Sequence, residues 1–269
     1  VKRSRVAAIL PSADALTAAA IGVVTAPLMF LSHELLGHAA ATLAFGAHIA
    51  RVTSVKESWN GDLSDAAKRA IAAAGIAANL FYGILALYMF RRVAKSHAAT
   101  RLFLWFFGHA ELFMGSSYLV GGAIFRFGDP PQVLNGLPFE GAWRIAAAII
   151  GFLIYFFTRL DAENILVEWA GSERRVARAR TLSLVPYLAM GITATLSGIA
   201  GPDPHDADVG WSALATFAAS LPFAIFPFTL PKTTASSVSL ALPRSPGWIA
   251  AGAIALAFLF FILAPGVPR

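Results

Sequence analysis

The stretch Leu31-Ser32-His33-Glu34-Leu35-Leu36-Gly37-His38-Ala39 sets two histidines and a glutamate inside an apolar run. An ionisable side chain at the centre of a lipid-embedded helix costs about 2.5–3.5 kcal/mol. Three such groups this close together point to a buried polar site rather than to packing. Imidazole nitrogens and carboxylate oxygens are ligands of zinc. A zinc with three protein ligands keeps a fourth position for water, lowers the pKa of that water to about 7 and polarises a carbonyl. Glu34 has the chemistry of a base that takes the water's proton and passes it to a leaving amine. The spacing sets a condition. In His-Glu-x-x-His the histidines are four apart, about 40° around a helix axis. His33 and His38 are five apart, about 140° on an ideal α-helix. Three arrangements answer this. A π-bulge absorbs one residue, with Gly37 easing the distortion. Alternatively, Glu34 and His38 are the ligands and His33 is the base. Or the extra residue has removed the metal and left a non-catalytic protein that binds or regulates a partner.

Other residues are candidate partners of this motif. Gly and Pro break helix through Phe127-Gly128-Asp129-Pro130-Pro131 and Asn135-Gly136-Leu137-Pro138-Phe139-Glu140. Irregular backbone at membrane depth is tolerated only against protein or a wet cavity. Asp129 and Glu140 are therefore candidates for a third ligand. His109 and Glu111 interrupt another apolar run. Residues two apart point about 200° apart on a helix, so at most one faces the site, and His109 is the expected one. Asn79 ends the small-residue surface Ala72-Ala73-Ala74-Gly75-Ile76-Ala77-Ala78, where helices approach closely. His48 and the acidic Asp203–Asp208 loop are expected to be solvated.

The elements that must position these groups follow from composition. The chain has 269 residues, 57% hydrophobic and 13% charged, against about 25% charged in soluble domains. Long apolar runs make it an all-α polytopic membrane protein with six to seven expected spans and the lipid bilayer as its surroundings. The first run, about Ala13 to Gly46, is longer than a bilayer needs, and Pro27 is expected to kink or break it. A short β-hairpin is expected after the motif helix, with Trp59-Asn60-Gly61-Asp62 as its turn. Residues 1–145 form the expected core with the metal motif, and 146–269 the additional helices. Arg159 to Arg180 is the most charged stretch and is expected as a surface helix or loop. Pro222 and Pro227 are expected to kink the sixth span. Cysteine is absent, so thiolate zinc and iron–sulfur sites are excluded. The net charge of +6 fits positive-inside loops rather than nucleic-acid binding.

Three pieces of this chain together resemble the site-2 protease family of intramembrane zinc metalloproteases. His33-Glu34-Leu35-Leu36-Gly37-His38-Ala39 is similar to the family's His-Glu-x-Gly-His-Ala with one residue inserted. Ala74-Gly75-Ile76-Ala77-Ala78-Asn79 is similar to its Gly-Pro-x-x-Asn helix. Gly128-Asp129, or Phe139-Glu140-Gly141, is similar to its Asp-Gly segment. The resemblance covers residues 28–145. It implies Zn²⁺ as cofactor, His33, His38 and Asp129 as ligands (Glu140 or His109 as alternatives), Glu34 as catalytic base and Asn79 on the substrate. It also implies a transmembrane protein or peptide as substrate. The expected location is the bacterial cytoplasmic membrane. A transporter using the same groups as ion sites is the remaining class, and it lacks the internal repeat such proteins show.

Overall fold

A computed structural model describes residues 13–54, 56–171, 175–201, 215–230 and 239–268. The run carrying the histidines is helical from Ala15 to Ala44. Helix α1 (Ala15–Phe30) begins where Asp14 accepts the Thr17 backbone N–H at 2.8 Å. That hydrogen bond holds the Asp14 carboxyl below its ordinary value. The run then winds as a π-helix over Leu31–Ala39 and ends as α2 (Ala40–Ala44). Pro27 is buried inside α1, which continues past it to Phe30, so of the expected kink or break there is no break. Proline is tolerated in such helices where neighbours and local π-winding re-satisfy the backbone, and here π-winding begins four residues later.

The expected hairpin follows as β1 (His48–Val52) and β2 (Glu57–Asn60), antiparallel with Val52 opposite Glu57. Its turn is not at Trp59–Asp62. β1 and β2 are instead joined through Thr53 and Lys56, the Thr53 N–H donating to the Lys56 carbonyl at 2.9 Å. Gly61 lies beyond the end of β2. A third strand, β3 (Val267–Pro268), pairs with β1 to give the order β2-β1-β3.

Helix α3 (Asp65–Arg92) is capped by Ser64, with Asp65 in its first turn and Arg91 and Arg92 in its last. This arrangement matches both ends of the helix dipole. It is followed by α4 (Ala98–Phe125), α5 (Asp129–Leu134) and α6 (Glu140–Ala170). Beyond them lie α7 (Arg175–Ala179), α8 (Val185–Ile199), α9 (Pro222–Thr229) and α10 (Pro246–Phe258). Residues 159–170 are not a loop: α6 continues through them, with Arg159 and Glu163 paired at 2.9 Å one turn apart. Such i,i+4 pairs let a charged stretch stay helical.

Among the described residues, five helical runs are long and apolar enough to cross a membrane: Ala15–Ala44, Asp65–Arg92, Glu140–Ala170, Arg175–Ile199 and Pro246–Leu263. The protein is therefore read as a membrane protein with at least the coarse architecture expected. The third expected span is α4. It has the length, but His, Glu, Ser and Trp side chains lower its hydropathy, and it packs between α3 and α6. The sixth is a shorter apolar stretch, Ala215–Thr229, interrupted by a turn at Ser220–Leu221 ahead of Pro222. One buried cluster draws Ile21 and Met29 together with Trp105, Phe113, Leu166 and Phe223. The motif helix is thus anchored to both halves of the chain.

Candidate metal centre

A π-turn closes with i→i+5 hydrogen bonds, so residues five apart come into register as residues four apart do in an α-helix. The π-winding of Leu31–Ala39 therefore puts His33 and His38 on one face. Their Nε2 atoms are 3.2 Å apart. Asp129 Oδ2 lies 3.3 Å from the first and 3.5 Å from the second. These three residues form the candidate metal-holding group among the described residues, and Glu34 is not part of it. A tetrahedral cation with donors at about 2.0–2.1 Å has them about 3.3–3.4 Å from one another, whereas cis donors of an octahedron at that length are about 2.8–3.0 Å apart. The observed triangle matches the tetrahedral spacing.

Of the four residues between the two histidines, Leu35 and Leu36 are 42% and 50% exposed, so the turn can lose or gain a residue there on its outer side. Deleting Leu36 is therefore expected to convert the π-turn into an α-turn and to keep zinc affinity within about tenfold of the parent. Inserting an alanine after Leu36, which makes the spacing six, is expected to abolish binding. Zinc titration of the two purified variants checks this. The opposite order of affinities would mean that the winding does not set the histidines' convergence.

Both imidazoles are held from behind. His38 Nδ1 is 2.8 Å from the Ile71 carbonyl and His33 Nδ1 is 2.6 Å from Asn79 Oδ1. Both partners are oxygens that only accept, so each Nδ1 carries the proton and donates. Each neutral ring then presents a lone pair at Nε2. Metal-bound histidines show the same arrangement, with the remote nitrogen donating to a carbonyl or carboxylate. Two nitrogen lone pairs and a carboxylate oxygen thus face one another. Asp129 Oδ2 is buried with no hydrogen-bond partner in the protein. Three acceptors converging without a donor repel, and a cation satisfies all three at once. A ligating carboxylate must be ionised, and a cation held at the triangle would keep Asp129 in that form.

Asp129 is delivered by the break between α4 and α6. Gly128 takes φ +69°, a conformation that favours glycine, and a Cβ there would meet the Tyr118 ring at 2.8 Å. The far end of α5 is pinned by Arg69 of α3, whose guanidinium donates to the Val133 carbonyl at 2.6 Å and the Asn135 carbonyl at 2.7 Å. Arg144 of α6 donates to Asn135 Oδ1 at 2.6 Å. Glu140, an alternative third ligand from sequence, is used in this scaffold instead. It accepts from Gly136 N–H at 3.0 Å and from Arg144 Nε at 2.8 Å.

His109, the other alternative, is turned away from the centre. Its Nδ1 donates to the Trp105 carbonyl at 2.7 Å and its Nε2 lies 3.1 Å from Asp161 on α6. The two-residue divergence holds, but the residue of the pair on the motif's side is Glu111. Its carboxyl group bonds Ser32 and Asn79. Asn79 itself is wholly buried, with its amide engaged by His33 and Glu111. His48 is exposed at the start of β1. The Asp203–Asp208 stretch lies outside the described residues.

Glu34 is buried beside the His33, His38 and Asp129 group. Glu34, His33, His38 and Asp129 line one cavity of about 350 Å³, completed by Glu57 and Trp59 of the hairpin and by Tyr118. Burial pushes the Glu57 carboxyl up. Tyr118 stacks on His33, with ring centroids 5.0 Å apart and planes 18° apart. The roles of Tyr118, Glu57, Arg69, Arg144 and Glu111 were not readable from residue spacing. Of these, only Glu111 carried a signal, an acid in an apolar helix. Comparison of the chain with protein-family models, curated proteins and solved structures finds no match.

Proposed function

We propose that this protein is a membrane-embedded zinc metallopeptidase that hydrolyses peptide bonds in or near transmembrane segments. The observation that carries the metal is the triangle of His33 Nε2, His38 Nε2 and Asp129 Oδ2, three acceptors with edges of 3.2, 3.3 and 3.5 Å. When bound there, the cation supplies Lewis acidity: it lowers the pKa of water to about 7 and polarises a carbonyl. Two imidazoles and one carboxylate also suit ferrous iron in an octahedral site, but the edge lengths favour the tetrahedral ion. Glu34 lines the same cavity without belonging to the triangle. It takes the proton of the attacking water and delivers it to the amine as the C–N bond breaks and the C–O bond of the new carboxylate forms. Transmembrane proteins or peptides are the proposed substrates, because the site is built on helices apolar enough to span a membrane. A bacterial cytoplasmic membrane is the proposed location, in keeping with the resemblance to site-2 proteases.

Elemental analysis of the full chain purified in detergent is expected to give about one zinc per chain. Chelation is expected to lower its thermal midpoint and to stop cleavage of a panel of labelled single-span peptides in proteoliposomes. Iron in place of zinc would redirect the site to another chemistry. A protein that binds no metal and is indifferent to chelator would end the peptidase reading.

A further inference from the structure

We propose that Glu111 is a positioning residue of the metal centre, acting through Asn79 to fix the protonation and aim of His33. This role rests on the metal reading above. Glu111 is 0% exposed at the middle of α4. Its two carboxyl oxygens are approached from two different elements. Asn79 Nδ2 of α3 donates to Oε2 at 2.5 Å, and Ser32 Oγ of the π-helix, adjacent in sequence to His33, hydrogen-bonds Oε1. Gly115, one turn after Glu111, makes this approach possible, since a Cβ there would be 3.1 Å from the Asn79 Cβ.

An amide side chain has two ends of nearly equal shape and opposite polarity. Nothing in the volume around Asn79 dictates which end faces His33, but the chemistry of Glu111 does. A carboxyl oxygen on one side draws the NH₂ group, which turns Oδ1 toward His33 Nδ1 at 2.6 Å. His33 must then carry its proton on Nδ1 and offer a lone pair at Nε2 toward Asp129. With the amide reversed, NH₂ would face Nδ1, the proton would move to Nε2, and the ring could no longer donate an electron pair to a cation. The sequence Glu111, Asn79, His33 is thus a three-member chain that ends at the ligand nitrogen. Partners of this kind change metal affinity by about 10–100-fold.

The test compares Glu111→Leu, Glu111→Asp and Glu111→Gln in the full chain in detergent. Zinc affinity is read by competition with a chromogenic chelator, ligand geometry from the visible spectrum of the Co²⁺-loaded protein, and the thermal midpoint on metal-free protein. Glu111→Leu is expected to weaken zinc binding by about 10–100-fold and to alter the Co²⁺ spectrum. Glu111→Asp, one methylene short of Asn79, is expected to lose about tenfold. Glu111→Gln still offers Asn79 an acceptor oxygen and is expected to stay within about threefold. Absence of zinc from the parent protein would remove the metal reading and this role together. Zinc in the parent with unchanged affinity in the Leu and Asp variants would overturn this role alone and leave Glu111 as a packing group, felt only in the metal-free midpoint. If Glu111→Leu does not fold, the other two variants decide: equal affinities overturn the proposal, and loss in Asp with retention in Gln sustains it.

Discussion

Glu34→Gln is expected to lower peptide cleavage by about 10²–10⁴-fold while leaving the zinc in place. The two halves of this expectation come from separate observations. Retention of metal follows because the converging donor atoms belong to His33, His38 and Asp129 and not to Glu34. Loss of cleavage follows because an amide cannot accept the proton of an attacking water, whereas a carboxylate in the same cavity can. Glutamine matches the shape of glutamate and keeps one acceptor oxygen at the same place. The variant therefore removes the base and little else. Zinc content and single-turnover cleavage, measured on the same preparation, separate the alternatives. Loss of zinc along with activity would make Glu34 a ligand, which returns the arrangement in which Glu34 and His38 hold the metal. Zinc retained with undiminished cleavage would place the base elsewhere.

The parts legible from sequence were those fixed by short-range chemistry. Two histidines and a glutamate in an apolar run announce a site by their solvation cost, and a five-residue spacing with an intervening glycine asks for π-winding, which Leu31–Ala39 shows. Asp129 was legible only as one of two acids on broken backbone, with Glu140 the other; the preference for it came from the resemblance and not from the helix-breaking residues. Helical phase was not legible. α4 is apolar around most of its circumference, so no hydrophobic stripe says which of His109 and Glu111 faces α3 and the motif; the packing of α4 against both α3 and α6 settles it. The use of Glu140 was hidden in the same way. Its partner Arg144 lies one turn on in α6, but the backbone N–H of Gly136 comes within reach only once the 135–140 turn has formed. β3 was beyond any local signal, since it pairs with β1 from more than two hundred residues away. The helix runs unbroken through Pro27 because neighbouring helices and a following π-turn re-satisfy the backbone, which a residue-by-residue reading does not show.

Gly75→Ala is expected to reduce zinc affinity on the order of 100-fold or more, although the substitution adds one methyl group and touches no ligand in sequence. A Cβ at Gly75 would sit 2.4 Å from His38 Nε2, 2.6 Å from His38 Cε1 and 2.8 Å from His33 Cε1. Those contacts are below any that real Cβ atoms make, and His38 Nε2 is itself a donor atom of the triangle. The rings have little freedom to retreat. His38 is tethered through Nδ1 to the Ile71 carbonyl, His33 through Nδ1 to Asn79, and Tyr118 covers the His33 face. Backbone movement is obstructed as well, because Gly37 and Gly75 form a close crossing in which a Cβ on Gly37 would meet Gly75 Cα at 2.7 Å. The methyl group must therefore either rotate an imidazole out of the triangle or drive α3 from the π-helix, and both open the coordination edges. Gly83→Ala is the control on the same helix. Its Cβ would press on Leu112 and the Gly108 carbonyl, away from the histidines, so it is expected to lower the thermal midpoint without changing zinc affinity in the folded protein. Equal affinities for the Gly75 variant and the parent would show that the rings can withdraw and still converge, and the tethers at Asn79 and Ile71 would then not be what aims them.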